Sequence, residues 1–176
     1  MEPLEIARRL EEAFADEVLK VETFRDQVGV TVRRDRIRDI CAYLRDRPEL
    51  DMTFLADLCG LEPQPAGERF EVVYNLYSLQ HRHRIRLKAR VPASDPSIDS
   101  VVSIWTGANW FEREAWDMYG ISFRGHPDLR RLLMPEGWEG HPLRKDYPLK
   151  GPEGWEDPGY EEAVRLHRQD DELSVK

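Results

Sequence analysis

Two stretches of this chain alternate strictly between apolar and polar residues. Phe70, Val72, Tyr74 and Leu76 form the first apolar series, and Ile85, Leu87, Ala89 and Val91 form the second. Alternation places such a series on one face of a sheet. The spacing predicts a long antiparallel hairpin turning around Leu79 to His83 and stopped by Pro92. Val18 to Phe24 and Val28 to Val32 read as two further strands with Asp26-Gln27 between them. Helical spacing appears at Leu4, Ala7, Leu10 and Phe14 behind Pro3. It appears again at Ile37, Ile40, Cys41 and Leu44, with Asp35 as N-cap and Pro48 past the end. Met52 to Leu58 fits a buried strand or a helical turn, and Glu62 to Gly67 is a Pro/Gly loop.

In the second half, Ser97 to Thr106 reads as a helix with Ile98, Val101, Val102 and Trp105 on one side, broken by Gly107. Asn109 is the expected cap of a second helix, with Glu112 completing a capping box. Ala108, Phe111, Ala115 and Met118 would share its apolar face. Gly120 stands where a left-handed C-terminal cap belongs. Ile121 and Phe123 suggest a short strand. Asp128 would cap one more turn, bearing Leu129, Leu132 and Leu133 and ended by Pro135. Beyond that, only Glu161 to Arg168 has helical character. These elements predict an α+β fold: a small mixed or antiparallel sheet with helices packed on it, over residues 1–123. A long irregular extension, residues 124–176, would follow as a partner-binding segment and acidic tail.

Composition narrows the picture. The 176 residues are 40% hydrophobic and 34% charged, which suits one soluble domain with a real core. No apolar run approaches the roughly 20 residues that span a bilayer. Met1-Glu2-Pro3-Leu4-Glu5 lacks the basic start and apolar stretch of a signal peptide, so a cytoplasmic location is expected. Cys41 and Cys59 match no metal or redox spacing and read as small core residues. The net charge of −8 argues against a nucleic-acid partner. The imbalance is concentrated after Pro148, where residues 151–176 hold eight acids against three bases.

The segment from Glu112 to Pro148 is dense in aromatic, charged and turn residues. His126, Asp128 and His141 could form an acid–base set, yet no Ser or Cys nucleophile accompanies them. Each histidine precedes a proline (Pro127, Pro142), which restricts its backbone to extended conformations and suits a fixed hydrogen bond. His126 and His141 lack ligand spacing for a metal, and Glu112 and Glu114 point in different directions. Gly137 and Gly140 match no phosphate loop. A protein interface fits the residue types best, because Trp and Arg dominate binding hot spots. All five tryptophans, Trp105, Trp110, Trp116, Trp138 and Trp155, lie in the second half, among Arg124, Arg130, Arg131, Arg144 and Lys145. Trp105 and Trp110 read as core; Trp138 and Trp155 as interface. Arg113 and Asp117, four apart, would pair on their own helix. Arg84, Arg86, Lys88 and Arg90 form a basic strip on the outward face of the hairpin. That strip could bind phosphate, nucleic acid or acidic partners, but it reads better as a solvated sheet face, partly covered by a partner.

The same segment carries a resemblance. Its motifs are Ala108-Asn109-Trp110-Phe111-Glu112-Arg113-Glu114, Asp117-Met118-Tyr119-Gly120-Ile121, Gly125-His126-Pro127-Asp128-Leu129-Arg130-Arg131 and Gly140-His141-Pro142-Leu143-Arg144-Lys145-Asp146-Tyr147-Pro148. Together they resemble the signature of the 30 kDa subunit family, the C subunit, of respiratory complex I, the proton-pumping NADH-quinone oxidoreductase. Phe54 to Gly60 and the hairpin from Phe70 are also similar, so the likeness runs over about residues 50–150. Gly137 stands where the pattern has an acid. The resemblance implies a subunit without catalytic residues, metal or cofactor of its own, in a complex whose FMN and iron–sulfur clusters lie in partner subunits. It implies a place in the peripheral arm on the cytoplasmic side of the bacterial inner membrane. The implied partners are chiefly the D subunit near the quinone site, and also the B and I subunits. It implies a partner-interface role for Glu112, Arg113, Glu114, Asp117, Gly120, His126, Pro127, Asp128, Arg130, Arg131, Trp138, His141, Pro142, Arg144, Lys145, Asp146 and Tyr147. The equivalent subunit of a membrane-bound nickel–iron hydrogenase is the near alternative. A free-standing acid–base enzyme using His126 and His141 is the distant one.

Overall fold

A computed structural model describes residues 1–63 and 70–149. Its centre is a five-stranded mixed sheet of order β1-β2-β5-β4-β3, formed by β1 (Val18–Phe24), β2 (Gln27–Arg33), β3 (Phe54–Leu61), β4 (Phe70–Tyr77) and β5 (Arg84–Val91). All neighbouring pairs are antiparallel except β2 and β5, which run parallel. A parallel pair needs a long crossover, and the chain between β2 and β5 supplies it with helix α2 (Ile37–Asp46), β3 and β4. Helix α1 (Pro3–Ala13) precedes the sheet. A second, two-stranded sheet pairs β6 (Ser97–Asp99) with β7 (Ser122–Arg124), and α3 (Ala108–Tyr119) lies between them in sequence. The α+β architecture expected from the pattern is the observed one.

One sheet face holds the core. Val30, Leu87, Tyr74 and Leu58 lie across four strands in register, and all are buried. The helices cover this face with Ile6, Ala7 and Leu10 from α1, Ile37, Ile40, Cys41 and Leu44 from α2, and Ala108 and Ala115 from α3. Burying each large aliphatic side chain contributes about 1.5–3 kcal/mol. Trp105 closes one end, and its indole donates to the Met52 carbonyl at 3.0 Å.

Several local expectations give way to tertiary contacts. Leu4 does not face the core; it is 48% exposed, and Ile6 takes its place. The β1–β2 turn is Arg25-Asp26, both at positive φ, one residue earlier than expected. Asp35 caps nothing: it lies in a 3-10 turn, Arg34–Arg36, and no side chain caps α2. Met52 to Leu58 resolves into the start of β3, which runs Phe54–Leu61. The helix expected over Ser97 to Thr106 is absent. β6 takes its first three residues, and side chains then capture the backbone. The Glu112 carboxylate accepts the Val101 N–H at 2.7 Å, and the Ser100 hydroxyl accepts the Val102 N–H at 3.2 Å. With Glu112 turned inward there is no capping box. α3 starts at Ala108, one residue before Asn109, and has no side-chain cap. Trp110 is 60% exposed rather than core. Most of the Glu62 to Gly67 loop, Trp155, the Glu161 to Arg168 helix and the acidic tail lie outside the described residues.

At Gly60 in β3 the end of α3 packs closely on the sheet. A Cβ there would sit 2.9 Å from the Tyr119 ring and 3.2 Å from Ile121. Gly60→Val should therefore overpack this contact and cost about 2 kcal/mol in chemical denaturation. Cys59→Val, on the opposite sheet face, should cost clearly less.

Candidate functional site

Helix α3 and the chain from Arg124 to Leu149 form one hydrogen-bonded unit. The last four carbonyls of a helix lack partners within it. In α3 each of them is taken. The Gly120 N–H donates to Trp116 O at 2.7 Å and the Leu143 N–H to Met118 O at 3.1 Å. His141 Nδ1 bonds Asp117 O at 2.9 Å, and Arg144 Nε donates to Tyr119 O at 2.6 Å. Gly120 makes this possible. It adopts φ 72°, the left-handed cap, and a Cβ there would collide with His141 and Arg144. The second Gly-His-Pro segment is thus the C-terminal cap of α3. Arg144 also complements the negative end of the helix dipole, with its guanidinium 5.4 Å from the Phe70 ring centre.

Asp117 holds the middle of the strap. It is fully buried. Oδ2 accepts the consecutive N–H groups of Leu132, Leu133 and Met134 at 3.0, 2.8 and 2.9 Å, and Oδ1 accepts Arg131 Nη1 at 2.6 Å. Arg131 turns its other end to the carbonyls of Trp138 and Gly140 and lies over the Trp116 ring. The helical turn expected behind Asp128 is therefore absent, because the backbone it would use is bonded to Asp117. The Arg113–Asp117 pair is also absent. Arg113 instead donates to the carbonyls of Arg130 and Arg131 at 3.2 and 3.1 Å and covers Trp110 at 4.9 Å.

The histidines are committed to the same scaffold. His126 Nε2 bonds Asn109 O at 3.1 Å, and Nδ1 takes the Asp128 N–H at 3.0 Å. A carbonyl only accepts and an N–H only donates, so one neutral tautomer satisfies both bonds. Burial lowers the His141 pKa, the Asp117 carbonyl partly opposes this, and the Arg144 and Arg131 charges lower it further. His126, Asp128 and His141 do not form one acid–base set: the two histidines serve separate backbone contacts, and the Asp128 carboxylate pairs with Arg130. Trp138 stacks on Tyr147 at 6.4 Å, and the Tyr147 hydroxyl donates to Glu139 O. The Lys145 N–H reaches Glu62 at 2.8 Å, a partner 83 positions away that no local signal announces. Arg130 stays outside, paired with Asp128 at 2.9 Å. Glu114, Pro127, Lys145 and Asp146 are exposed, and Pro142 is half-buried. Leu133, Leu143 and Leu149 are exposed apolar side chains on the strap.

Two carboxyls in α3 respond oppositely to this environment. Burial alone would raise Asp117, but the N–H groups of Met134 and Leu133, the Arg131 guanidinium and the Leu132 N–H outweigh it and hold the pKa low. Burial pushes Glu112 up to about 7, against the Ser100 and Val101 bonds that hold it down. Among the described residues, no group of three or more His, Cys, Asp or Glu could hold a metal ion, and no helix is long and apolar enough to cross a membrane.

Two outcomes are expected. Asp117→Ala should cost about 3 kcal/mol or more, because it strands Arg131 and three N–H groups. Its strap should become the first segment cut in limited proteolysis. Glu112 is protonated in the folded state between its ordinary value of 4.5 and about 7. Its contribution is therefore fully present below the lower value and lost as pH rises through the upper one. Glu112→Gln keeps the Val101 bond and should remove this loss. The gap between variant and wild type should widen by roughly 2–3 kcal/mol from about pH 4 to about pH 8 in denaturation curves.

The family profile described as "Respiratory-chain NADH dehydrogenase, 30 Kd subunit" matches residues 30–153. The NADH-quinone oxidoreductase C subunit of Geobacter sulfurreducens is 50% identical over 146 residues, covering 82% of this chain and 89% of the relative. The C subunit of the Roseiflexus castenholzii oxidoreductase is 51% identical over 144 residues, covering 82% and 83%. A solved trypsin-resistant fragment (1–134) of Nqo5 superposes with a TM-score of 0.62 at 36% identity, covering 70% of this chain and 98% of the fragment. A chain of an archaeal membrane-bound sulfane sulfur reductase shares the fold, with a TM-score of 0.69 at 20% identity over 89% of this chain and 96% of its own. The chain belongs to the family of the 30 kDa subunit of respiratory-chain NADH dehydrogenase, the C subunit of NADH-quinone oxidoreductase.

Proposed function

We propose that the chain is a cofactor-free scaffold subunit of the peripheral arm of complex I, on the cytoplasmic face of the membrane. In this reading it packs chiefly on the D subunit beside the quinone site, with the B and I subunits nearby. FMN and iron–sulfur clusters reside in partner subunits. Those subunits carry electrons from NADH to quinone, and the complex couples this to proton translocation. Residues 1–123 act as the folded body and 124–176 as the partner-binding segment.

The observation that carries this is where the strap's polar groups point. Arg113, Arg131, His126, His141 and Asp117 all bond the chain's own backbone. These bonds hold the strap's shape, which supports a structural role for the side chains. The large apolar side chains that the strap exposes are Leu133, Leu143 and Leu149, among charged residues of both signs such as Arg130, Lys145, Glu136 and Asp146. An apolar set rimmed by charge is the composition of a contact surface. The two cysteines in the whole sequence also fall short of the four thiolates that commonly hold an iron–sulfur cluster.

The test is affinity purification of the tagged chain from native membranes. NADH-quinone oxidoreductase subunits and NADH-dependent quinone reduction should accompany it, while the isolated chain should show no flavin or cluster absorbance. Leu133→Asp with Leu143→Asp should leave the chain folded and reduce recovered partner subunits by about tenfold. Purification without partners, or a stoichiometric chromophore on the isolated chain, would sink this reading.

A further inference from the structure

The sheet face turned away from the core has an organisation the strap does not explain. Strand register places Arg84, Arg86, Lys88 and Arg90 in single file down β5, which is the central strand. Alternate residues on a strand lie about 6.6 Å apart, and like charges so arranged repel. Beside this row lie Arg33, in register with Arg90, and Lys20, in register with Thr31. The acids on the same face are Glu22, Asp57 and Glu71, so it carries six bases against three acids in a chain whose net charge is −8. The acids are also partly engaged. Glu22 contacts Lys20 and Lys88, and Asp57 accepts from Asn75, which in turn accepts from Arg86. Arg84 and Arg90 have no ion pair among the described residues.

The row ends in a groove of roughly 280 Å³ lined by Phe54, Tyr77, Arg84 and Gln27, with Pro3 of α1 and the turn residue Asp26 at its margin. Phe54 is 47% exposed, and Phe24, at the neighbouring turn, is 70% exposed. The buried side chains of α1 and α2, with Ala108 and Ala115 of α3, join the core on the opposite face. Only Pro3, at the first turn of α1, reaches this groove, and Phe24 and Phe54 remain exposed.

We propose that this outer sheet face docks an extended acidic segment of a neighbouring subunit that also carries an aromatic or large apolar side chain. The carboxylates would follow the cation row, where the guanidinium groups of Arg84 and Arg90 can bind them in bidentate fashion. The apolar side chain would enter the groove beside the Phe54–Tyr77 pair. A single file of cations at strand spacing matches an extended chain, whose own side chains on one side repeat at the same interval. The inference rests on the reading of the chain as a complex subunit, and it adds a second contact surface to that of the strap.

The experiment uses the assembled complex. A photo-crosslinking amino acid at Phe54 should yield one dominant product, an acid-rich peptide of another subunit. The double charge reversal Arg84→Glu/Arg90→Glu should reduce that product at least about tenfold while leaving the circular dichroism and melting of the isolated chain unchanged. Crosslinks only to residues 151–176 of this chain, only to lipid, or to nothing would overturn the inference. So would a double variant that crosslinks like wild type. If the wild-type chain retains no other subunit, the scaffold reading itself fails. If wild type assembles but Phe54 captures no neighbouring subunit, only the docking surface fails.

Discussion

The Asp117 carboxylate is the constraint from which the strap's shape follows. A buried carboxylate is tolerated only when its charge is matched by donors. Here three consecutive backbone N–H groups and one guanidinium supply them. The arrangement works in both directions. It keeps Asp117 ionised within the protein, and it fixes residues 132–134 in a conformation that neither helix nor strand would give. Arg131 extends the constraint outward, because its second nitrogen holds the carbonyls of Trp138 and Gly140. One side chain thereby sets the path of the chain from Arg131 to Gly140.

The C-terminal end of α3 applies the same logic to carbonyls. A helix end buried against other chain needs partners for its last four acceptors. α3 draws three of them from His141, Leu143 and Arg144, more than one helix length downstream. Helix and strap therefore complete each other. This explains why an irregular segment is so rich in residue types that look catalytic. Histidine and arginine are here the donors that reach a backbone carbonyl from a chain held extended by proline.

Strands β1, β2, β4 and β5 were legible in the sequence because their apolar pattern is a local signal, whereas the pattern leaves β3 open and gives β6 helical spacing. β4 and β5 follow the expected apolar series, and Gly120 announced its left-handed cap. The stretch from Ser97 to Thr106 was not legible. Its helical spacing is real, but Glu112 and Ser100 capture the Val101 and Val102 N–H groups, and Glu112 lies 11 positions from Val101. The site shows the same division. The segment from Glu112 to Pro148 stood out by composition, yet the directions of Arg113 and Arg144 depended on carbonyls 17 to 25 positions away. Trp110 misled for a related reason: helical spacing cannot tell a ring in the core from a ring exposed beneath an arginine.

The sequence separation of the α3 cap also orders events in time. The contacts that finish the helix close loops of 24 and 25 residues, whereas the buried members of the core cluster end at Phe123. A chain emerging from the ribosome can thus bury its sheet and all three described helices before the cap has been made. The strap then zips onto a preformed surface, and its loop-closure entropy is offset in one late step. An assembly factor or partner that engaged the bare end of α3 would have an interval, set by the rate of translation, in which to do so.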